Sequence, residues 1–350
     1  MNLPAESIAA LKTLGYTQRE AEFLCIVAAH SGFFLQRHFT QFVNVAGRGP
    51  ATYFIKKAIE KQHVREHLPE RGTQKIYHLF SRTVYKAIGK ENSRHRRPGR
   101  YGMLEKAGVR LLTLDFVLTN PDRQYFEEES DKADYFIRQR LISAEILPVK
   151  VFPGAQGKQT RRYFFENFPM FLSETDGLPV VNFTYIEDDI RSIQTFASFV
   201  ERYRPLFEVL ANRFKLILVS NSAQSFQLAR NMFVRSLSPA EREREHQQLA
   251  RFFWLKKMAG QKRFKELAHK DVIEWQRGVK RYSDSRYETQ FQTWQATGKL
   301  PETNKQSTLS DPGQQFETFL AVPAVVRLTS SPATETAQLS AQLPAQERPA

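Results

Sequence analysis

Glu187, Asp188 and Asp189 are three adjacent carboxylates closing an apolar run, residues 180–186, that reads as a β-strand. A carboxylate cluster at a strand end can hold Mg2+ or Mn2+ and activate water against a phosphodiester. Such a site also needs an acid from a neighbouring strand and a lysine close by. The neighbouring candidate, Phe168-Pro169-Met170, supplies no acid. A solvated strand-to-helix turn is therefore the simpler reading, and no metal or cofactor is expected. His63-Val64-Arg65-Glu66-His67 spells H-x-x-E-H, a zinc motif that requires both imidazoles on one helix face. Here the helix should already have become a strand, with Pro69 just beyond, so zinc is not expected. The chain has no G-x-x-x-x-G-K-[ST] phosphate loop, which removes support for nucleotide hydrolysis. The single cysteine, Cys25, lies among Phe23, Leu24, Ile26 and Val27 and reads as a buried, inert thiol.

Basic residues carry a stronger signal. A helix beginning near Pro50 would bury Ala51, Phe54, Ile55, Ala58 and Ile59, turning Thr52, Tyr53, Lys56, Lys57 and Lys61 outward. Such a helix fits the DNA major groove, with its first residues at base edges and its lysines at phosphates. Arg48 precedes it; Arg71, and then Arg94, Arg96, Arg97 and Arg100, are placed to grip flanking backbone. Two further segments mix cations with rings. Arg161-Arg162-Tyr163-Phe164-Phe165 reads first as sheet core and second as a base-stacking surface. Lys256, Lys257, Lys262, Arg263 and Lys265, interleaved with Phe252, Phe253, Trp254 and Phe264, read as an exposed charged helix or a second nucleic-acid contact.

The elements that would position these residues follow from spacing. Thr17 and Glu20 form a capping box ahead of a helix ending at His30-Ser31-Gly32. A short helix around Phe39, the helix after Pro50, and strands at 63–68 and 75–80 complete the order of a winged helix-turn-helix over residues 1–90. Residues 91–145 read as a basic loop and connecting helices. Strand-like runs alternating with helices over 146–237 predict an α/β domain with a mixed sheet. Residues 238–299 read as a charged helical extension. Pro, Ser, Thr, Gln and Ala dominate residues 300–350, which predicts a disordered tail.

The charge distribution agrees with a polyanionic partner. Of the 350 residues, 51 are Lys or Arg and 37 Asp or Glu, a net +14. Residues 1–110 alone hold 19 basic against 8 acidic side chains, a clustering that favours phosphate contacts over mere solubility. No run reaches the ~18–20 apolar residues of a membrane span. The amino terminus also lacks the basic and apolar regions of a signal peptide, so a cytoplasmic protein with no membrane partner is expected.

Leu14-Gly15-Tyr16-Thr17-Gln18-Arg19-Glu20-Ala21 and Tyr77-His78-Leu79-Phe80-Ser81-Arg82 resemble the winged helix of bacterial plasmid replication-relaxation proteins. Phe168-Pro169-Met170 and residues 180–189, 196–207 and 214–219 are similar in layout to that family's second domain. The resemblance implies a restriction-endonuclease-like fold there, with a proline–aspartate pair before one strand and an acid-x-acid pair on the next. Met170 stands where the first aspartate would be, Tyr185 where the first acid of the pair would be, and only Glu187 matches. It implies a DNA-binding accessory factor of a plasmid or mobile element, acting with replication or relaxase proteins and degenerate in catalysis. The expectation is thus a non-enzymatic binder of double-stranded DNA. The alternatives are a metal-dependent DNA endonuclease using Glu187, Asp188 and Asp189 with Mg2+ or Mn2+, and a protein-interaction adaptor.

Overall fold

A computed structural model describes residues 3–45, 47–68, 74–97, 103–153, 159–188, 193–263, 267–283, 285–300 and 312–321. It is a mixed α+β protein. Helix α1 (Ala5–Thr13), which the spacing did not predict, leads into α2 (Gln18–His30). The start of α2 is a reciprocal cap: the Glu20 amide donates to Thr17 Oγ1 and the Thr17 amide donates to the Glu20 carboxylate. Gly32 ends the turn beyond it at φ +76, and a Cβ there would lie 2.3 Å from the His95 carbonyl oxygen, so only glycine fits. Strand β1 (Phe33–Phe34), α3 (Gln36–Val43) and α4 (Gly49–Glu60) follow, then β2 (Val64–His67) and β3 (Ile76–Leu79). β3 lies between β1 and β2 and runs antiparallel to both.

Aromatic packing holds this unit. Phe54 of α4 stacks on Phe39 of α3 at 4.3 Å between centroids and meets Phe23 of α2 edge-on at 5.7 Å. Leu24, Ala28, Phe54, Ile55 and Ala58 are all buried, as their spacing requires. Cys25 is buried too, and burial, with Glu127 and Glu22 nearby, pushes its thiol up to about 12. That thiol stays protonated and unreactive.

The second half begins with α5 (Arg82–Ala87), α6 (Met103–Thr119), β4 (Gln124–Tyr125) and α7 (Glu129–Asp134). Strands β5 (Val149–Pro153) and β6 (Gln159–Tyr163) come next, followed by β7 (Met170–Thr175), β8 (Leu178–Glu187), α8 (Ile193–Leu210) and β9 (Phe214–Ser220). Helices α9 (Phe226–Ser236), α10 (Pro239–Gly260), α11 (His269–Arg281) and α12 (Ser285–Thr297) precede the last strand, β10 (Phe316–Leu320). The main sheet runs β10-β9-β8-β7-β4. Its β10–β9 and β9–β8 pairs are parallel, and its β8–β7 and β7–β4 pairs antiparallel.

Three features depart from the spacing. First, among the described residues β5 and β6 pair only with each other, as a two-stranded ribbon outside the main sheet. Their charged residues Lys150, Arg161 and Arg162 could not be buried on both faces of a central strand. Second, part of the expected disordered tail is ordered, because β10 completes the sheet edge and Phe316 packs between Phe196 and Phe233. The other tail residues, 301–311 and 322–350, lie outside the described residues. Third, α6 is more than a connection. It packs against β1, α2 and α3 on one side and β8 and β9 on the other, so one core runs through both halves. Helices α10–α12 instead surround a small core of their own, centred on Phe252, Phe253 and Phe291. No described helix is long and apolar enough to cross a membrane.

Candidate nucleic-acid interface

Helix α4 separates its two faces cleanly. Ala51, Phe54, Ile55 and Ala58 are buried, while Arg48, Thr52, Tyr53, Lys56 and Lys61 are exposed. Tyr53 is 68% exposed, unusual for so large a ring. Thr52 Oγ1 donates to the Arg48 carbonyl at 2.9 Å and accepts from Gln36 Nε2 at 2.9 Å, which fixes its rotamer at the start of the helix. Among the described residues Lys56 makes only a long, exposed ion pair with Glu60, 3.9 Å, which leaves it able to swing toward a ligand.

Lys57 does not belong to this outer set, contrary to the sequence expectation. Its ammonium pairs with the buried Glu20 carboxylate, approaches the Gly15 carbonyl at 3.4 Å, and lies over the Tyr16 and Tyr53 rings. Lys57 falls where the helix turns from its outer to its inner face, and Glu20 is already anchored there by the α2 cap. Arg94 and Arg96 also have partners within the chain. Arg94 pairs with Glu129, and Arg96 Nε donates to the Glu91 carbonyl at 3.2 Å. Lys90 reaches Glu127 at 2.8 Å, so Lys90 and Arg94 are both neutralised by the acidic stretch of 127–129. Arg97 is exposed and makes no ion pair among the described residues. Arg71 and Arg100 lie outside the described residues.

The unit that carries α4 is locked to α6 by a buried polar joint. The Leu35 amide donates to His38 Nδ1 at 3.0 Å, so the ring proton is on Nε2, which donates to Asp115 at 2.9 Å. Arg37 donates to the other Asp115 oxygen at 2.7 Å. Burial would raise Asp115, but the bonds from His38 and Arg37 outweigh it and hold the carboxyl below the usual range. Burial keeps His38 below the ordinary histidine value despite Asp115, consistent with a neutral ring.

The carboxyl end of β8 is arranged differently. Glu187 and Asp188 are 5% and 8% exposed, so they form no solvated turn, contrary to the sequence expectation; Asp189 lies outside the described residues. Ser225, ahead of α9, donates to Glu187. Met170 and Tyr185 are both 2% exposed, and Tyr185 sits within 5.1 Å of the Phe196 ring and 5.0 Å of Phe199. Among the described residues no group of three or more His, Cys, Asp and Glu could hold a metal ion. His63 of the H-x-x-E-H run is bonded through Nδ1 to the Tyr16 hydroxyl at 2.8 Å, and Glu66 and His67 lie on β2.

Two groupings could not be read from the sequence as groupings. Lys132 of α7 is buried and donates to the Phe168 carbonyl at 2.7 Å and to Asn167 Oδ1 at 3.2 Å. Burial lowers its ammonium to about 7. Asn167 in turn meets His95 Nε2 at 3.3 Å, and His95 Nδ1 meets the Ser31 carbonyl at 3.1 Å, so a polar chain runs from the end of α2 to the main sheet. Second, the structure places Arg161 and Tyr163 of the ribbon across a groove from Lys256 and Lys257 of α10. These segments are about a hundred residues apart in the chain. No family model, curated protein or solved structure matches the chain.

Proposed function

We propose that the chain is a non-enzymatic DNA-binding protein that docks α4 on the major groove of duplex DNA. In this reading α2, α3 and α4 with the β2–β3 hairpin act as a winged helix-turn-helix. The observation that carries it is the division of α4 into a buried aromatic face and an outer face of Arg48, Thr52, Tyr53, Lys56 and Lys61. Thr52 and Tyr53, in the first turns, would reach base edges, and Arg48, Lys56 and Lys61 would meet phosphates. Arg97, exposed beyond the hairpin, would meet flanking backbone. The buried joint at Asp115 would hold α4 in a fixed orientation relative to the rest of the chain.

The mixed sheet, with the acid-ended strand β8 beside parallel β9, supports an endonuclease-like ancestry for the second half. Buried Met170 and Tyr185 at the two positions where the resemblance would place acids support lost catalysis. By that same resemblance the protein acts as an accessory or regulatory factor of a plasmid or mobile element. The test is a mobility-shift assay on random duplexes, run beside incubation of supercoiled plasmid with Mg2+ or Mn2+. The expected result is a salt-sensitive shift with the plasmid left supercoiled. Nicking that disappears in Glu187→Ala would establish the endonuclease instead, and absence of salt-dependent affinity would establish an adaptor.

A further inference from the structure

We propose that the groove between the β5–β6 ribbon and the carboxyl-terminal helices binds single-stranded nucleic acid, at a site separate from α4. The groove measures about 1470 Å3. Small-molecule sites usually enclose about 300–1,000 Å3, so this one suits a stretch of polymer. Half-buried rings line it from both sides: Tyr163 from the ribbon, Trp275 and Tyr282 from the α11 side. Exposed cations stand on both walls as well, Arg161 on β6 and Lys257 on α10. Neither makes an ion pair among the described residues, though Lys257 lies 5.9 Å from the centre of the Trp294 ring.

The acids of the lining are Glu288, held by Lys256 at 2.5 Å, and Glu145. Lys262, exposed just past the end of α10, adds a cation next to the lining residue Gln261. Rings able to stack on bases, interspersed with cations able to follow a phosphate backbone, are what sequence-tolerant binding of a single strand requires. Gln159, Gln290 and Gln295 add amides that can donate to and accept from base edges.

The wall is set by packing. At Gly278 a Cβ would lie 2.2 Å from a Phe252 ring carbon, so α11 rests directly on α10 and holds Trp275 and Tyr282 in place. Tyr282 packs on Phe252 with centroids 4.9 Å apart. A duplex offers its bases only edge-on, so these rings favour an unpaired strand.

The test is fluorescence anisotropy of labelled oligo-dT, fifteen nucleotides long, with the full chain across a salt series. Tyr163→Ala with Trp275→Ala should weaken binding at least tenfold. Arg161→Ala with Lys257→Ala, both exposed and not expected to disturb folding, should lower the log–log salt slope by about 0.7 per cation. Arg48→Ala with Lys56→Ala should leave oligo-dT affinity unchanged while weakening duplex binding, which separates failure of this site from failure of the α4 reading. Circular dichroism checks the ring variants. If they unfold, the Arg161/Lys257 pair decides. No measurable oligo-dT binding by the unaltered chain, or a slope unmoved by that pair, would overturn the proposal.

Discussion

The outer face of α4 and the carboxyl end of β8 are both polar clusters on elements with a well-packed apolar side. On α4 the packing stops at Ala51, Phe54, Ile55 and Ala58, and the polar side chains beyond them stand in solvent. On β8 it continues to the end of the strand, so Glu187 and Asp188 are buried with it. One cluster can meet a large ligand without rearrangement. The other must first be opened. The contrast also runs within α4, where Lys56 is exposed and its neighbour Lys57 completes a buried ion pair. Position relative to the core, more than residue type, decides which cation is available.

The strongest way to break the contrast is to remove the inner face. Phe54→Ala deletes a ring in contact with Phe23, Phe34, Phe39 and Tyr16 and should cost roughly 3–5 kcal/mol. Urea denaturation measures it, and a loss below about 1 kcal/mol would mean α4 is not seated as described. Lys57→Ala leaves Glu20 buried without its partner and should cost about 3 kcal/mol. Lys56→Ala, at an exposed pair, should stay within about 0.5 kcal/mol of the unaltered protein. Equal costs for the two lysines would erase the distinction drawn between them.

A further effect follows from the buried histidine at the end of α2. Burial, then Lys132 and Lys90, hold His30 at about 3, and its buried Nε2 has no hydrogen-bond partner among the described residues. Its folded value lies below the unfolded one of about 6.5, so the unfolded chain binds protons first as pH falls. The His30 contribution is therefore present above pH 6.5 and lost progressively down to about pH 3. His95, at about 3, and His78, at about 4, act in the same direction, each lowered chiefly by burial. His30→Leu should remove on the order of 2 kcal/mol of the loss between pH 7 and pH 5, measured by denaturant unfolding at both pH values. An unchanged pH dependence would mean His30 already binds a proton in the folded state.

Local rules made α2, α3, α4 and the β2–β3 hairpin legible in the sequence, because a capping box, an early proline and a 3.6-residue apolar period each act over a few neighbours. β7, β8, β9 and α8 were legible for the same reason. What escaped depends on long-range pairing. β10 adds to the sheet through backbone bonds to β9 and through two rings, Phe316 beside Phe233 and Phe319 edge-on to Phe116, which the polar composition around them conceals. The ribbon of β5 and β6 looked like sheet core because a run of rings does not reveal which strand it will pair with. Lys57 looked outward because the spacing places it on the boundary of α4, and Glu20, which draws it in, is thirty-seven residues away. The neutralised loop at Lys90 and Arg94 was concealed similarly, since Glu127 and Glu129 lie across the fold.

In the proposed reading the outer face of α4 lies on duplex DNA. Fluorescence anisotropy on a random duplex across a salt series, comparing the unaltered chain with Lys56→Ala, tests it most directly. Lys56→Ala should lower the log–log salt slope by about one unit and weaken binding about equally for all sequences. An unchanged slope with undiminished affinity would contradict the account, because the most exposed cation of α4 would then be making no phosphate contact.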